Sequence, residues 1–311
     1  MTAKKPRRLI YPFATSVLFA GSFVAAKYTT LELLPLTTTL LRYIVAFLFL
    51  SILLWRYKVS SLRVDPSDLV KLSLLGLFGI VGYHYFFFSA LHFTAITNTA
   101  IINAFSPIAT AIAAGIFIRE KLSRKNYVGV ALGVVGVALL VSRGAIQPLR
   151  AFRFNHGDLL MLAAVVSWVA YAVLIRKLVT RYSAFTLTYY AILTAIVMLL
   201  PLAWREGLTE QLPTISRPSI FGILYMGIFA SGIGYFLYNF SIKEIGPTKT
   251  SSLVSSLVPI SVAILAWLFF QEAITAVMIF STMLIILGLR FMLSSRQNLC
   301  IKRLALECKK A

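Results

Sequence analysis

Carboxylates are scarce in this sequence, with ten Asp and Glu against 30 Lys and Arg in 311 residues. None lies near the centre of an apolar run, because Glu32, Asp65, Asp68, Glu120, Asp158, Glu206, Glu210, Glu244, Glu272 and Glu307 all fall in loops or at run ends. That placement disfavours a carboxylate relay, and with it carboxylate-based sodium or proton coupling. Cysteine is scarcer still: Cys300 and Cys308, both in a polar C-terminal stretch, indicate neither a disulfide framework nor a metal site. Among three histidines only His84 falls near an apolar centre, so an enzyme has no paired carboxylates and no nucleophile with an oriented base to work with. No cofactor is expected.

Charge of either sign is also sparse. Charged residues make up 13% of the chain, apolar and aromatic residues 59%, and the mean hydropathy is +0.86. A soluble domain has about a quarter charged residues and could not cover such a core. The apolar residues come in runs near 20 long, the length a helix needs to cross roughly 30 Å of hydrocarbon. Ten runs stand out, at 9–28, 37–55, 69–91, 96–118, 126–142, 158–176, 184–204, 219–241, 248–269 and 274–293. The expected fold is therefore an all-α integral membrane protein of ten transmembrane helices.

The net charge of +20 would suggest nucleic acid if the basic residues formed a face. They are scattered over short loops instead, and no nucleic-acid partner is expected. Twenty-one Lys and Arg lie in the two tails and the even-numbered loops, five in the odd-numbered loops. Retained positive charge marks the cytoplasm, which predicts a cell-membrane protein with both termini cytoplasmic. The first run has a basic start and Ala25-Ala26 near its end, as a signal peptide would. Nine later runs favour a retained helix.

The sequence also repeats itself. Residues 83–123 match 235–275 without gaps at an offset of 152, with ten identities among 41 positions, including Tyr83/Tyr235, Ser89/Ser241, Pro107/Pro259 and Glu120/Glu272. Gly136 and Gly288 fall on the same offset. The reading is a tail at 1–8, a first repeat at 9–142, a linker at 143–157, a second repeat at 158–293 and a tail at 294–311. Five spans per half would invert one half relative to the other, the arrangement of many secondary transporters with a substrate site near the midplane.

Depth then sorts the polar residues, since those at a span centre are costly. Tyr83, His84, Asn103, Ser106, Trp168, Tyr235, Ser255 and Ser256 fall near midplane and are the candidate substrate cavity. Trp55, Trp204 and Trp267 sit at span ends as in interfacial belts, whereas Trp168 sits mid-span, either walling a cavity or packing between helices. His84 is read either as a substrate or proton partner or as a neutral residue bonded to a facing helix. Asn103 and the serines bind substrate or bridge helices, and Gly129 and Gly133 form a GxxxG packing seam. In the aromatic run Tyr83–Phe88 only one or two rings would face inward. Pro107 and Pro259 are expected to bend their helices at matched positions, as rocking elements or as static kinks. Lys27 and Arg42, near span ends, are expected to snorkel to headgroups or to form an anion-attracting mouth.

These residues resemble the EamA family of the drug/metabolite transporter superfamily over nearly the whole chain apart from the tails. The resemblance is carried by Gly21-Ser22, Lys27, Leu41-Arg42-Tyr43, Phe87-Phe88-Ser89-Ala90-Leu91, Ser106-Pro107 and Glu120-Lys121-Leu122-Ser123, then Trp168, Tyr238-Asn239-Phe240-Ser241, Pro259, Glu272 and Gly288. Ala20 stands where the family commonly has Trp, and Val258 where an acid often precedes the second Pro. The resemblance implies a secondary transporter of small metabolites such as amino acids, with export favoured. A membrane-embedded enzyme and a non-transporting helper or receptor subunit are the competing readings.

Overall fold

In the computed structural model, described for residues 5–57, 62–117, 124–141, 155–178, 181–245 and 247–307, all regular structure is helical. Backbone groups surrounded by hydrocarbon have no water to bond, and a helix satisfies them within its own segment, so apolar runs of this length become helices. The elements are α1 (Lys5–Thr29), α2 (Pro35–Tyr57), α3 (Leu69–Gly76), α4 (Tyr83–Leu91), α5 (Ile96–Asn103), α6 (Ser106–Phe117), α7 (Arg124–Val141), α8 (His156–Leu178), α9 (Ala184–Arg205), α10 (Leu208–Gln211), α11 (Arg217–Tyr225), α12 (Tyr235–Ile245), α13 (Pro247–Phe270) and α14 (Ala276–Glu307). A π-helical segment, Leu77–Gly82, joins α3 to α4, and a second, Met226–Gly234, joins α11 to α12.

Among the described residues, seven stretches are long and apolar enough to cross a membrane: Ile10–Thr29, Pro35–Arg56, Pro66–Leu91, His156–Ile175, Ala184–Arg205, Arg217–Ser241 and Leu253–Phe270. Tyr127–Gly136 and Ala276–Phe291 are shorter apolar helices. The run expected as a fourth span is two helices, α5 and α6, broken at Ala104-Phe105.

That break corrects the expected role of Pro107. Pro has no N–H to give to the carbonyl four residues back and its ring crowds that turn, so a continuous helix through Asn103 loses a bond there. The helix stops and restarts at Ser106, which leaves Pro107 in the first turn of α6, where a missing N–H costs nothing. Pro259 differs: it is buried inside the continuous α13. The matched prolines therefore produce one break and one uninterrupted helix.

Helices pack in sets spaced by the repeat offset. α7 lies along α14, where a Cβ on Gly288 would come within 2.6 Å of the Gly129 carbonyl oxygen and 3.1 Å of the Gly133 amide nitrogen. The GxxxG pair is thus a packing seam. α1 packs on α13 while α8 packs on α5 and α6; α2 packs on the second π segment while α9 packs on α3 and the first.

Carboxylates from distant loops cap two helix starts, whose free N–H groups need acceptors. Glu206 accepts from the Leu36 and Thr37 amides at 3.1 and 2.7 Å, and Glu272 from the Ile96 and Thr97 amides at 3.1 and 3.3 Å and the Thr97 hydroxyl at 2.9 Å. Glu120, the repeat mate of Glu272, lies outside the described residues, as do most of the 143–157 linker and Cys308. Elsewhere Glu32 accepts from the Ser216 amide at 3.0 Å, Thr94 donates to Asp158 at 2.7 Å, and Arg181 pairs with Asp68 at 2.6 Å and Asp65 at 3.1 Å. α14 continues to Glu307, past the 293 boundary expected from hydropathy.

Candidate functional site

The site grows from the first π segment. Its wider turn takes carbonyls out of the ordinary i to i+4 ladder, and three consecutive ones receive side-chain donors. Ser167 Oγ donates to the Phe78 carbonyl at 2.8 Å, Tyr235 OH to that of Gly79 at 3.3 Å, and His84 Nδ1 lies 3.0 Å from that of Ile80. The donors come from α8, α12 and α4, so this turn gathers three helices. Close approach is built in, because a Cβ on Gly79 would collide with the Tyr171 ring.

His84 is buried, and its bonding fixes its tautomer. A carbonyl only accepts, so Nδ1 carries the proton, and Nε2 is left to accept from the Tyr43 hydroxyl at 3.4 Å. The ring is bonded to its own helix and to α2, closer to the structural reading of this residue than to a free proton carrier.

Trp168 lies at the centre of an aromatic cluster. Ring centroids of Tyr83, Tyr171, Tyr235 and Tyr238 lie 5.2, 5.0, 5.9 and 5.8 Å from its own, inside the range of favourable aromatic pairs. It is 9% exposed, whereas Trp55, Trp204 and Trp267 are 82%, 65% and 54% exposed. The three outward rings can sit at interfacial depth; Trp168 faces the interior.

These groups wall a cavity of about 50 Å³. Tyr83, His84, Asn103, Ser106, Trp168, Tyr235 and Ser255 all line it, with Pro259. Ser256 lies in α13 but its side chain is outside the described residues, and Pro107 does not reach the cavity. From the aromatic run, Tyr83 and Phe87 face inward while Tyr85 is exposed, the i, i+4 selection of one helix face. At the α5–α6 break, Tyr83 OH donates to Asn103 Oδ1 at 3.3 Å, and Ser106 Oγ donates to the Asn103 carbonyl at 2.6 Å.

Sequence reasoning missed Phe19, Phe23 and Tyr238 in this lining and misplaced Arg42. Arg42 does not snorkel: it is 3% exposed, lines the cavity, and donates from Nε to Ser231 Oγ at 2.6 Å, with its guanidinium carbon 5.4 Å from the Tyr43 ring centre. The reason is where α2 begins. Its first residue is Pro35, seven residues before Arg42, which puts the side chain roughly 10 Å inside the helix at 1.5 Å per residue. A charge at the centre of a membrane helix costs on the order of 3 kcal/mol on insertion scales, so one held inside the bundle calls for partners. Lys27 is held too, donating to the Leu91 carbonyl at 2.9 Å beside a separate recess of about 550 Å³ that includes His92. Burial, and then the Lys27 charge, lower the His92 pKa from its ordinary value.

Helices of membrane-crossing length, packed around an aromatic cavity with a few inward polar groups, are the build of a polytopic membrane transporter. The model of the EamA-like transporter family matches residues 8–142 and again 155–294, and the chain belongs to that family. It is 31% identical over 255 residues to the uncharacterized transporter YyaM of Bacillus subtilis, covering 81% of this chain and 82% of that one. A "probable amino-acid metabolite efflux pump" of Salmonella typhimurium is 26% identical over 71% of this chain and 76% of its own. A "probable terminal-alkyne amino-acid exporter" of Streptantibioticus cattleyicolor is 25% identical over 66% and 67%. A solved crystal structure covers 94% of the chain, and is itself 99% covered, with a TM-score of 0.66 at 19% identity, a likeness of fold.

Proposed function

We propose that this chain is a secondary transporter of small metabolites, amino acids among them, working by alternating access through ten crossings in two inverted five-helix repeats. The observation that carries the reading is a matched pair of π segments, each followed directly by a tyrosine, Tyr83 or Tyr235, that lines the one cavity. The two π segments end at Gly82 and Gly234, and Pro107 and Pro259 follow Asn103 and Ser255, all at the 152-residue offset. Broken or irregular helices at corresponding positions of two halves, bordering a shared cavity, mark the binding site of repeat-built carriers.

The loop contacts support ten crossings. The stretch after α1 meets the one after α9 through Glu32–Ser216 and Gln211–Leu34, and the stretch before α5 meets the one before α8 through Thr94–Asp158 and Asn155–Phe93. The same stretch before α5 meets Glu272, while the stretch before α3 meets the one before α9 through Asp65–Arg181. Each contact joins two odd-numbered or two even-numbered loops, which ten crossings place on one side. Both termini are then cytoplasmic by the distribution of Lys and Arg.

A cavity of about 50 Å³ has room for only a few waters, since one needs roughly 10–15 Å³ on this measure. An amino acid requires the walls to part, as alternating access supplies. The aromatic walls favour apolar or aromatic side chains, and the names of the Salmonella and Streptantibioticus relatives favour export of amino-acid-like molecules. The test is counterflow of radiolabelled neutral amino acids in proteoliposomes. Saturable exchange is expected, weakened in Trp168→Ala and His84→Ala proteins that still insert and purify; absence of exchange for every amino acid overturns the substrate class.

A further inference from the structure

Resting on the carrier reading above, we propose that Arg42 is the docking group for a carboxylate on the transported molecule. Arg42 is buried and is the one permanently charged side chain in the described cavity lining. A guanidinium has five N–H donors in a planar fork. Here Nε is used on Ser231, and Nη1 has the Met226 sulfur at 3.9 Å, a weak acceptor. Arg42 lines the cavity, and no acceptor within hydrogen-bond reach is found for its remaining donors among the described residues. Among the described residues no acidic side chain lines the cavity and Arg42 has no carboxylate partner; Asp65 and Asp68, for example, pair with Arg181 and Lys71 near the start of α3.

A buried cation without an anion is costly unless something else neutralises it, and an arriving carboxylate does so with bidentate geometry. One fixed positive charge matches a singly charged carboxylate better than a dianionic phosphate. The rest of the lining complements an amino acid. Ser255 offers a neutral oxygen acceptor to an ammonium group, and Pro259 gives no N–H to the Ser255 carbonyl. The Trp168, Tyr83 and Phe23 rings leave an apolar wall for the side chain.

The full-length protein in proteoliposomes is loaded with L-phenylalanine, L-leucine or L-threonine, and each is compared with its carboxamide as counterflow substrate. Wild type is expected to prefer the acid by at least about tenfold, as sites built for a charged partner reject analogues lacking it. Arg42→Gln should lose most acid transport and reduce the preference to about twofold or less, while Arg42→Lys keeps part of it because the charge remains. If wild type exchanges acid and amide equally, or if Arg42→Gln keeps the wild-type preference, the assignment of Arg42 is overturned and the carrier reading stands. If wild type moves neither member of any pair, the amino-acid reading on which the assignment rests fails, and the assignment of Arg42 fails with it. The wild-type acid-to-amide ratio decides the matter even where Arg42→Gln does not fold.

Discussion

Ser106 donates its hydroxyl to the Asn103 carbonyl at 2.6 Å, and that is the carbonyl which Pro107 cannot serve. The proline removes a backbone donor, and the neighbouring side chain replaces it. Tyr83 and Ser106 also reach Asn103 Oδ1, each at 3.3 Å, so the α5–α6 break is bonded from both sides. In the second half the position matching Ser106 is Val258, which has no hydroxyl for the Ser255 carbonyl. The two halves thus treat the same backbone defect differently, and the cavity they share is asymmetric at its polar edge.

Ser106→Ala leaves that carbonyl without its partner, a loss of about 1–3 kcal/mol for a buried acceptor. The apparent melting temperature of the detergent-solubilised protein should fall. Ser106→Thr keeps a hydroxyl at the same place and should restore much of it. An unchanged melting temperature in Ser106→Ala would mean that the break is held by other contacts.

The seam between α7 and α14 makes a separate prediction, because both sides of it are backbone. An added Cβ at Gly288 meets the Gly129 carbonyl oxygen and the Gly133 amide nitrogen, neither of which can rotate away as a side chain could. Gly288→Ala should force the two helices apart at a cost of about 1–3 kcal/mol, the range for overpacking. Size-exclusion profiles and thermal unfolding would show it as lost monodisperse protein or a lowered melting temperature. Val135→Ala, on the exposed face of α7, should leave both nearly unchanged.

That the apolar runs are helices was legible in the sequence because hydrocarbon thickness sets run length, though not the break of the fourth run into α5 and α6, and the inward Trp168 was legible because depth separated it from three more exposed tryptophans. Arg42 was not, since its partner Ser231 is 189 residues away and its depth depends on where α2 starts. Nor were the π segments, since the wider turn at Leu77–Gly82 lies in an unbroken apolar stretch and shows itself only where Ser167, Tyr235 and His84 come to meet its carbonyls. The helix caps Glu206 and Glu272 escaped for the same reason as Arg42. A carboxylate at a span end reads as solvated until the helix start it serves, some 170 residues earlier, is brought beside it.

Contacts at the loop ends should be separable by pH. Hydrogen bonds from the Ser67 hydroxyl and amide, with the nearby Arg181 charge, hold the Asp65 carboxyl below its ordinary value of 3.8. A lowered pKa in the folded state means that the charged form is favoured by folding, so the contribution is fully present above the unfolded value and is lost as pH falls through the folded one. Asp65→Asn should therefore lower the melting temperature at neutral pH, modestly because the group is exposed to solvent and its ion pair is screened. The gap to wild type should persist down to about pH 4 and close below it, as Asp65 takes up its proton. Added salt should narrow the gap at neutral pH through the Arg181 pair while leaving the Ser67 bonds in place. A gap that stays constant from neutral pH to below 3.8 would show that the carboxylate charge contributes nothing and that Asp65 acts there by shape alone.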